Sequence, residues 1–416
     1  MARRTFRSPA FGRTPREWLA RGVLALAAVA AGYVSVKQTL AYSVRSADPE
    51  RAHTLSPSDG RIEAQLAMKL LTTATGDAQR RRAEQLAQDA LRREPLAIPA
   101  IVTLGLHAQL RGDLPRARRL FAHSSRLSRR DLQTRLWAIE DAVAREDVPG
   151  AIRNYDLALR ASRQAPEILF PVLSSAIADP SIAAALAPVL ASRPPWGDAF
   201  LTHVAGSGLD PKVRARFFRT LKARRIAIPQ AAEVNVVNAL VAANAHEAAW
   251  GYYRTLHASA DRRRSRDPHF TAQLETPTAF DWVPVTDTPG IAATIQRNDR
   301  DGVFDFATPP TVGGVILQQM QFLPPGRYRI EGRSTGIDQP RGARPYWSLV
   351  CVDGRELGRV DLPNSTEASG RFRGSFSVSG DCPTQQLRLV ARPSNIVSGV
   401  SGQIDEVALQ PLGDAQ

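Results

Sequence analysis

The residues of this 416-residue chain that could do chemistry are few and scattered. Asp299, Asp301 and Asp305 lie close enough in sequence to supply the acid and the base or nucleophile of a glycoside hydrolase. The same pattern describes a turn followed by a solvated strand face, and that reading is preferred. Seven histidines (His53, His107, His123, His203, His246, His257, His269) show no ligand spacing. There is no nucleophile elbow, no paired-histidine zinc helix and no phosphate-cradling loop ending in Gly-Lys. The expectation is a protein that is not an enzyme and holds no cofactor. Binding chemistry is the alternative. A pyranose stacks its C–H edges on an aromatic ring while polar groups fix its hydroxyls. Trp282, Tyr346 and Trp347 are the candidates for such contacts. Trp347 shares strand parity with Leu349 and Cys351, which points it to the core, whereas Tyr346 points the opposite way. Trp282 also fits a core position.

The element that organises the chain is a repeat. Ala83, Ala117 and Ala151 stand 34 residues apart; four residues after each come Ala87, Phe121 and Tyr155, and seven after each come Ala90, Ser124 and Ala158. These offsets share one face of a helix, and small-large-small along it lets a partner helix approach at the alanines. A fixed period of this length marks a repeat architecture whose units must stack. The middle copy adds Leu104-Gly105 on the preceding helix and Gly112-Asp113 at the turn; the first copy adds Pro95. In these residues the chain resembles tetratricopeptide repeats. The third copy departs, with Glu146 at the turn glycine and Arg163 at the proline. Helical periodicity continues to about Ala260, with hairpins expected over 166–191, 196–224 and 231–258.

Charge separates the parts. The formal net charge is +14, with only four lysines (Lys37, Lys69, Lys212, Lys222) among the cations. Residues 37–269 hold 35 Lys plus Arg against 23 acids, while residues 270–416 hold 13 Arg against 16. Clusters such as Arg80-Arg81-Arg82 and Arg118-Arg119 fit solvated helix faces, and no nucleic-acid partner is expected. At the start, Arg3, Arg4, Arg7, Arg13, Arg16 and Arg21 precede fifteen uncharged residues, Gly22 to Val36. That stretch spans about 22 Å as a helix. Arg21 and Lys37 snorkelling outward, with Trp18-Leu19 and the residues after Thr39, extend it toward the ~30 Å of a bilayer core. The basic flank predicts a single pass of a bacterial inner membrane, with a cytoplasmic N-terminus and a periplasmic bulk. A cleaved signal peptide, ending near Thr39-Leu40-Ala41, is the rival; both export residues 45–416. In an exported chain the lone pair Cys351 and Cys382 is most simply one disulfide.

Beyond Pro268 the period shifts to two, with frequent Gly and Pro. Strands are expected at 280–284, 291–296, 303–307, 315–322, 327–334, 346–352, 372–378, 386–391 and 403–410. Tyr328 and Ile330 face one way, and Arg327, Arg329, Glu331 and Arg333 the other; Phe372, Phe376 and Val378 oppose Arg371 and Arg373. Short strands at this spacing argue for an antiparallel sandwich. Gln318-Gln319 before Phe322, the turn Pro325-Gly326-Arg327-Tyr328, and the closing Gln403-Ile404-Asp405-Glu406-Val407 resemble the jelly-roll carbohydrate-binding modules. The resemblance covers about 278–412 and implies a glycan-binding fold with Asp405 as a calcium candidate. Glu406 stands where those modules carry a second Asp, which weakens transfer of that site.

The fold class expected is therefore multidomain: a cytoplasmic tail (1–21), a transmembrane helix (22–44), a linker (45–60), an all-α helical-repeat solenoid (61–262) and an all-β jelly-roll sandwich (270–413). The function expected is a membrane-anchored, non-catalytic scaffold, accessory to exopolysaccharide or envelope-polymer assembly or export. Its repeats would offer a concave basic surface to a protein partner or an acidic polymer, and its sandwich would engage a glycan. A purely structural scaffold and a polysaccharide-modifying enzyme are the alternatives.

Overall fold

A computed structural model describes residues 15–297 and 301–412. Most of the arginine-rich tail, including Arg3, Arg4, Arg7 and Arg13, lies outside the described residues, as does Asp299. Helices come first: α1 (Pro15–Val44), α2 (Pro49–Leu55), α3 (Gly60–Thr73), α4 (Asp77–Arg93), α5 (Ile98–Leu110), α6 (Leu114–Leu127), α7 (Leu132–Ala144), α8 (Val148–Ala161), α9 (Ala165–Ala176), α10 (Pro180–Ala191), α11 (Gly197–Gly206), α12 (Pro211–Ala223), α13 (Gln230–Ala242) and α14 (His246–Leu256). Strands follow: β1 (Val283–Pro284), β2 (Ala292–Arg297), β3 (Gly302–Thr308), β4 (Gly314–Gln321), β5 (Gly326–Thr335), β6 (Tyr346–Cys351), β7 (Glu356–Asp361), β8 (Arg371–Val378), β9 (Gln385–Ala391) and β10 (Val400–Pro411). Helical repeats followed by an antiparallel sandwich is the arrangement the sequence implied. The chain forms two compact units, up to Leu169 and from Phe170 onward, with the boundary inside α9.

In the first unit, α3/α4, α5/α6 and α7/α8 pack as helical hairpins. The 34-residue pattern lies on the second helix of each, and all nine of its side chains are buried. A Cβ on Gly105 would stand 2.7 Å from the Phe121 ring, so the glycine is what lets that ring lie flat across α5. Phe121 in turn stacks on Trp137 at 4.2 Å between centroids. Aspartates open the helices: Asp113, Asp131 and Asp147 each accept a backbone N–H of the first turn. The turn between the paired helices is the same with and without glycine. Gly112 sits at φ +80°, and Glu146 takes φ +55° and repeats its hydrogen bonds, Asp147 N–H to Ala142 O matching Asp113 N–H to Ala108 O. The third copy thus keeps the turn at the steric cost of a left-handed non-glycine residue.

Residues 45–60 are folded, which corrects the expected linker. Asp48 caps α2 and Pro49 starts it. Ala52 packs in a small core with Ala41 of α1 and Ile62 of α3. Arg61 Nη1 donates to Tyr42 Oη at 2.9 Å, and Gln38 Nε2 to Asp59 at 3.2 Å. Alanines small enough for close helix approach make the junction a packed one. α1 is long and apolar enough to cross a membrane, and its apolar window is unburied.

In the second unit, α11 packs on α13 and α13 on α14. Two five-stranded antiparallel sheets follow, in the orders β1-β4-β9-β6-β7 and β2-β3-β10-β5-β8. Their inward side chains, including Phe304, Phe306, Tyr328, Ile330, Trp347, Leu349, Phe372 and Phe376, form one core. β7 had no counterpart among the expected strands. It is an edge strand of mixed composition without a buried side, so alternation does not mark it. The Asp353-Gly354 turn, with Gly354 at φ +91°, was the available signal for the hairpin.

Candidate binding groove on the sandwich

A groove of about 950 Å³ crosses the outer face of the second sheet, where β3, β10, β5 and β8 lie side by side. Each strand brings outward-pointing polar residues because its alternate positions fill the core. Arg333 and Glu331 come from β5, Arg371 and Arg373 from β8, and Asp301 from the approach to β3. β10 supplies Asp405 and Glu406 at a bulge: Ile404 pairs with Ser334 and Glu406 with Arg333, leaving Asp405 as the extra residue. Bulges re-aim side chains in this way. Gly332 allows it, since a Cβ there would stand 2.1 Å from Glu406 O.

The charges hold one another. Arg333 Nε donates to Asp405 Oδ2 at 2.9 Å. Glu331 lies 3.3 Å from Arg373 Nη2 and 3.2 Å from Arg329 Nε, and accepts from Gln410 Nε2 at 2.7 Å. Next to β10, Asp305 Oδ2 accepts from Gln296 and Gln403, both at 3.1 Å. Arg371 is exposed and, among the described residues, has no side-chain partner. The lining thus offers planar forks of donors beside planar acceptors, pre-positioned by their neighbours. Such pairs suit adjacent hydroxyls, one donating to a carboxylate while the other accepts from a guanidinium. The Phe372 ring at the groove is buried and has no face for a sugar, and the exposed ring of the lining is the imidazole of His269.

Of the residues singled out in the sequence, Asp301 and Asp405 line the groove, while the aromatic candidates are elsewhere. Trp282 and Trp347 are 3% and 0% exposed and lie 5.8 Å apart in the core, with Trp282 Nε1 donating to Asp267 O at 3.0 Å. Neither has a face free for a sugar, which removes both from the binding candidates. Tyr346 is half-buried, with the guanidinium carbons of Arg359 and Arg392 4.1 and 4.4 Å from its ring centroid. A sugar would have to displace an arginine there. Cys351, at the end of β6, is bonded to Cys382, just before β9. Asp405 does not fit calcium: the Arg333 guanidinium occupies the flank a cation would need, and among the described residues no three His, Cys, Asp or Glu side chains gather. The groove's own residues were visible as charged alternates on β5 and β8. The signal missed was that one charged row sits beside another.

The basic surface of the repeats is also displaced. The first helices of the hairpins carry only Arg61, Lys69 and Arg135, and the arginine clusters stand on the second helices α4, α6 and α8.

The helices of the second unit seal one part of the sandwich. Arg266 N–H donates to Gln319 Oε1 and Gln319 Nε2 to Arg266 O, both at 3.2 Å, with Gln319 on the inward side of β4 opposite Leu387. The Arg266 guanidinium lies 5.1 to 5.5 Å from the rings of Tyr253, Trp250 and Phe280. Tyr253 Oη donates to Asp281 Oδ1 at 2.6 Å, and Asp281 Oδ2 accepts from Thr278 N and Oγ1. Burial pushes the Tyr253 hydroxyl pKa well up and the Arg266 pKa down. Of the two glutamines that signalled a jelly roll, Gln319 thus fastens the segment after α14 to β4, while Gln318 accepts from Gln386 on β9.

No family model matches the chain, and no curated protein matches it. Solved structures do match in part. A CBM4 module is 15% identical, covering 37% of this chain and 99% of its own, with a TM-score of 0.25. PilF of Pseudomonas aeruginosa is 12% identical, covering 48% of this chain and 93% of its own, with a TM-score of 0.25. The enzymatically active domain of tailspike protein 4 of bacteriophage CBA120 is 12% identical and covers 32% of this chain, with a TM-score of 0.25; the match spans 20% of the tailspike chain.

Proposed function

We propose that this protein is a membrane-anchored, non-catalytic binding scaffold whose sandwich holds a glycan in the β3–β10–β5–β8 groove. The observation carrying this reading is the row of paired planar groups, Arg333–Asp405 and Arg373–Glu331, beside Arg371, which is exposed and has no side-chain partner among the described residues. Hydroxyl-rich chains are recognised by such donor and acceptor pairs. The groove has length across four strands, which fits a polymer segment better than a monosaccharide. We assign it no catalysis, because Asp405 and Glu331 are committed to guanidinium partners rather than poised as acid and base.

α1 supports a single pass of a bacterial inner membrane with the units in the periplasm, where a disulfide persists. The exposed hairpin surfaces would take protein partners, and an accessory role in exopolysaccharide or envelope-polymer assembly or export unites the parts. Titration of the detergent-solubilised full chain with neutral and acidic oligosaccharides tests the groove. Saturable binding should weaken about 10- to 100-fold in Arg371→Ala and in Asp405→Asn, the loss expected of a charge-assisted hydrogen bond. Binding unchanged in both variants would sink the groove reading. Release of new reducing ends, lost in Asp301→Asn, would instead establish an enzyme.

A further inference from the structure

The helical repeats carry a second charged surface whose periodicity is its main property. Nine residues after the packing alanines stand Arg92, Arg126 and Arg160, and two residues after the second and third stand Arg119 and Arg153. Arg82 and Arg116 each precede one of those alanines. Positions two and nine are seven apart, two helical turns, so they share a face about 180° from the buried one. All of these arginines are exposed. Arg92 and Arg160 are ion-paired within their own helices to Asp89 and Asp156. Arg116, Arg119, Arg126 and Arg153 make no side-chain hydrogen bond or ion pair among the described residues.

We infer that the outer face of α4, α6 and α8 is a docking surface for a linear anionic polysaccharide, a chain bearing carboxylates at regular intervals. The repeat that packs the alanines copies the arginines with it, giving rungs about 10 Å apart along a helix and returning on the next hairpin. The rungs are carried by three separate helices, which suits a chain with spaced charges better than one phosphate. Nucleic acid is disfavoured, because the Phe121 and Tyr155 rings of these helices are buried, which leaves His123 as the one exposed ring on α4, α6 and α8 for base stacking. A flat anionic membrane would also press on Asp89 and Asp156, whereas a thin chain can follow the free arginines. This surface lies on different elements from the sandwich groove and stands or falls independently of it.

The test uses the full chain in detergent with polygalacturonate as probe, dextran as neutral comparator and phosphatidylglycerol vesicles as the membrane comparator. The triple variant Arg119→Glu, Arg126→Glu, Arg153→Glu should bind polygalacturonate about 10- to 100-fold more weakly, the scale set by three exposed charge contacts. A second triple, Arg51→Glu, Arg111→Glu, Arg254→Glu, makes the same charge change off the ladder and should cost less than about threefold. Arg371→Ala should leave polygalacturonate binding at the ladder intact. Unaltered melting of both triples shows that folding is preserved. Equal losses in the two triples would reduce the effect to net charge and overturn the proposal. So would wild-type affinity in the ladder triple, or vesicle binding without polymer binding.

Discussion

Two places in the second unit set an arginine near a carboxylate in opposite surroundings: the junction of α14 with the sandwich, where Tyr253 stands between Arg266 and Asp281, and the groove. At the junction, Arg266, Tyr253 and Asp281 are closed in by Trp250, Phe280 and Phe322. In the groove, the arginine halves of Arg333–Asp405 and Arg373–Glu331 are open to water, 56% and 68% exposed. Ion pairs exposed to solvent contribute about 0–1 kcal/mol, whereas breaking a buried network leaves uncompensated polar groups. Burial, not residue type, decides which arginines hold the fold and which remain available to a ligand.

The largest break in that comparison is Trp250→Ala. It removes a 1% exposed ring that packs on Tyr253, Phe280 and Phe322, and should destabilise by about 3–5 kcal/mol in denaturant melts of the full chain. A loss under about 1 kcal/mol would mean the junction is not closely packed. Next, replacing Cys351 and Cys382 together by Ser should cost roughly 3–4 kcal/mol for a 31-residue separation, read from the same melts with and without reductant.

Tyr253→Phe leaves Asp281 with Thr278 as donor but deletes its phenol, and should cost about 1.5–3 kcal/mol. A smaller effect is expected in the pH dependence of His246, which shares a 3.2 Å hydrogen bond with Thr384 beside the disulfide. Burial lowers its folded pKa from the ordinary 6.5. The unfolded chain therefore takes up the proton first, and stability is full above about pH 6.5 and declines as pH falls below it. His246→Gln should flatten that slope; an unchanged slope would assign it elsewhere. The smallest change belongs to the groove: Arg371→Ala should alter stability by less than about 0.5 kcal/mol while weakening glycan binding. A large loss of stability there would place Arg371 in the fold rather than in a site.

Local order was legible where one element carries the whole signal. Ala117 and Phe121 announce a packed helix face because both lie on α6, and Tyr328 and Ile330 announce an inward strand side because both lie on β5. α2 was hidden, since seven residues of mixed polarity acquire a buried side only through Ala41 and Ile62. Tyr346 faces outward as its parity implies, yet nothing near it in sequence foretold the guanidiniums of Arg359 and Arg392.

The sequence by itself determined the 34-residue helical period, the direction each strand turns its side chains, and the apolar helix at the start. Tertiary structure alone decided that β10 lies between β3 and β5, bringing Asp405 onto Arg333 across 72 residues. It also decided that the Arg266 guanidinium is ringed by Tyr253, Trp250 and Phe280 while Arg371 is exposed. The reason is physical: alternation and helical periodicity come from bonded geometry within a few residues, but strand order is set by which nonlocal faces bury together.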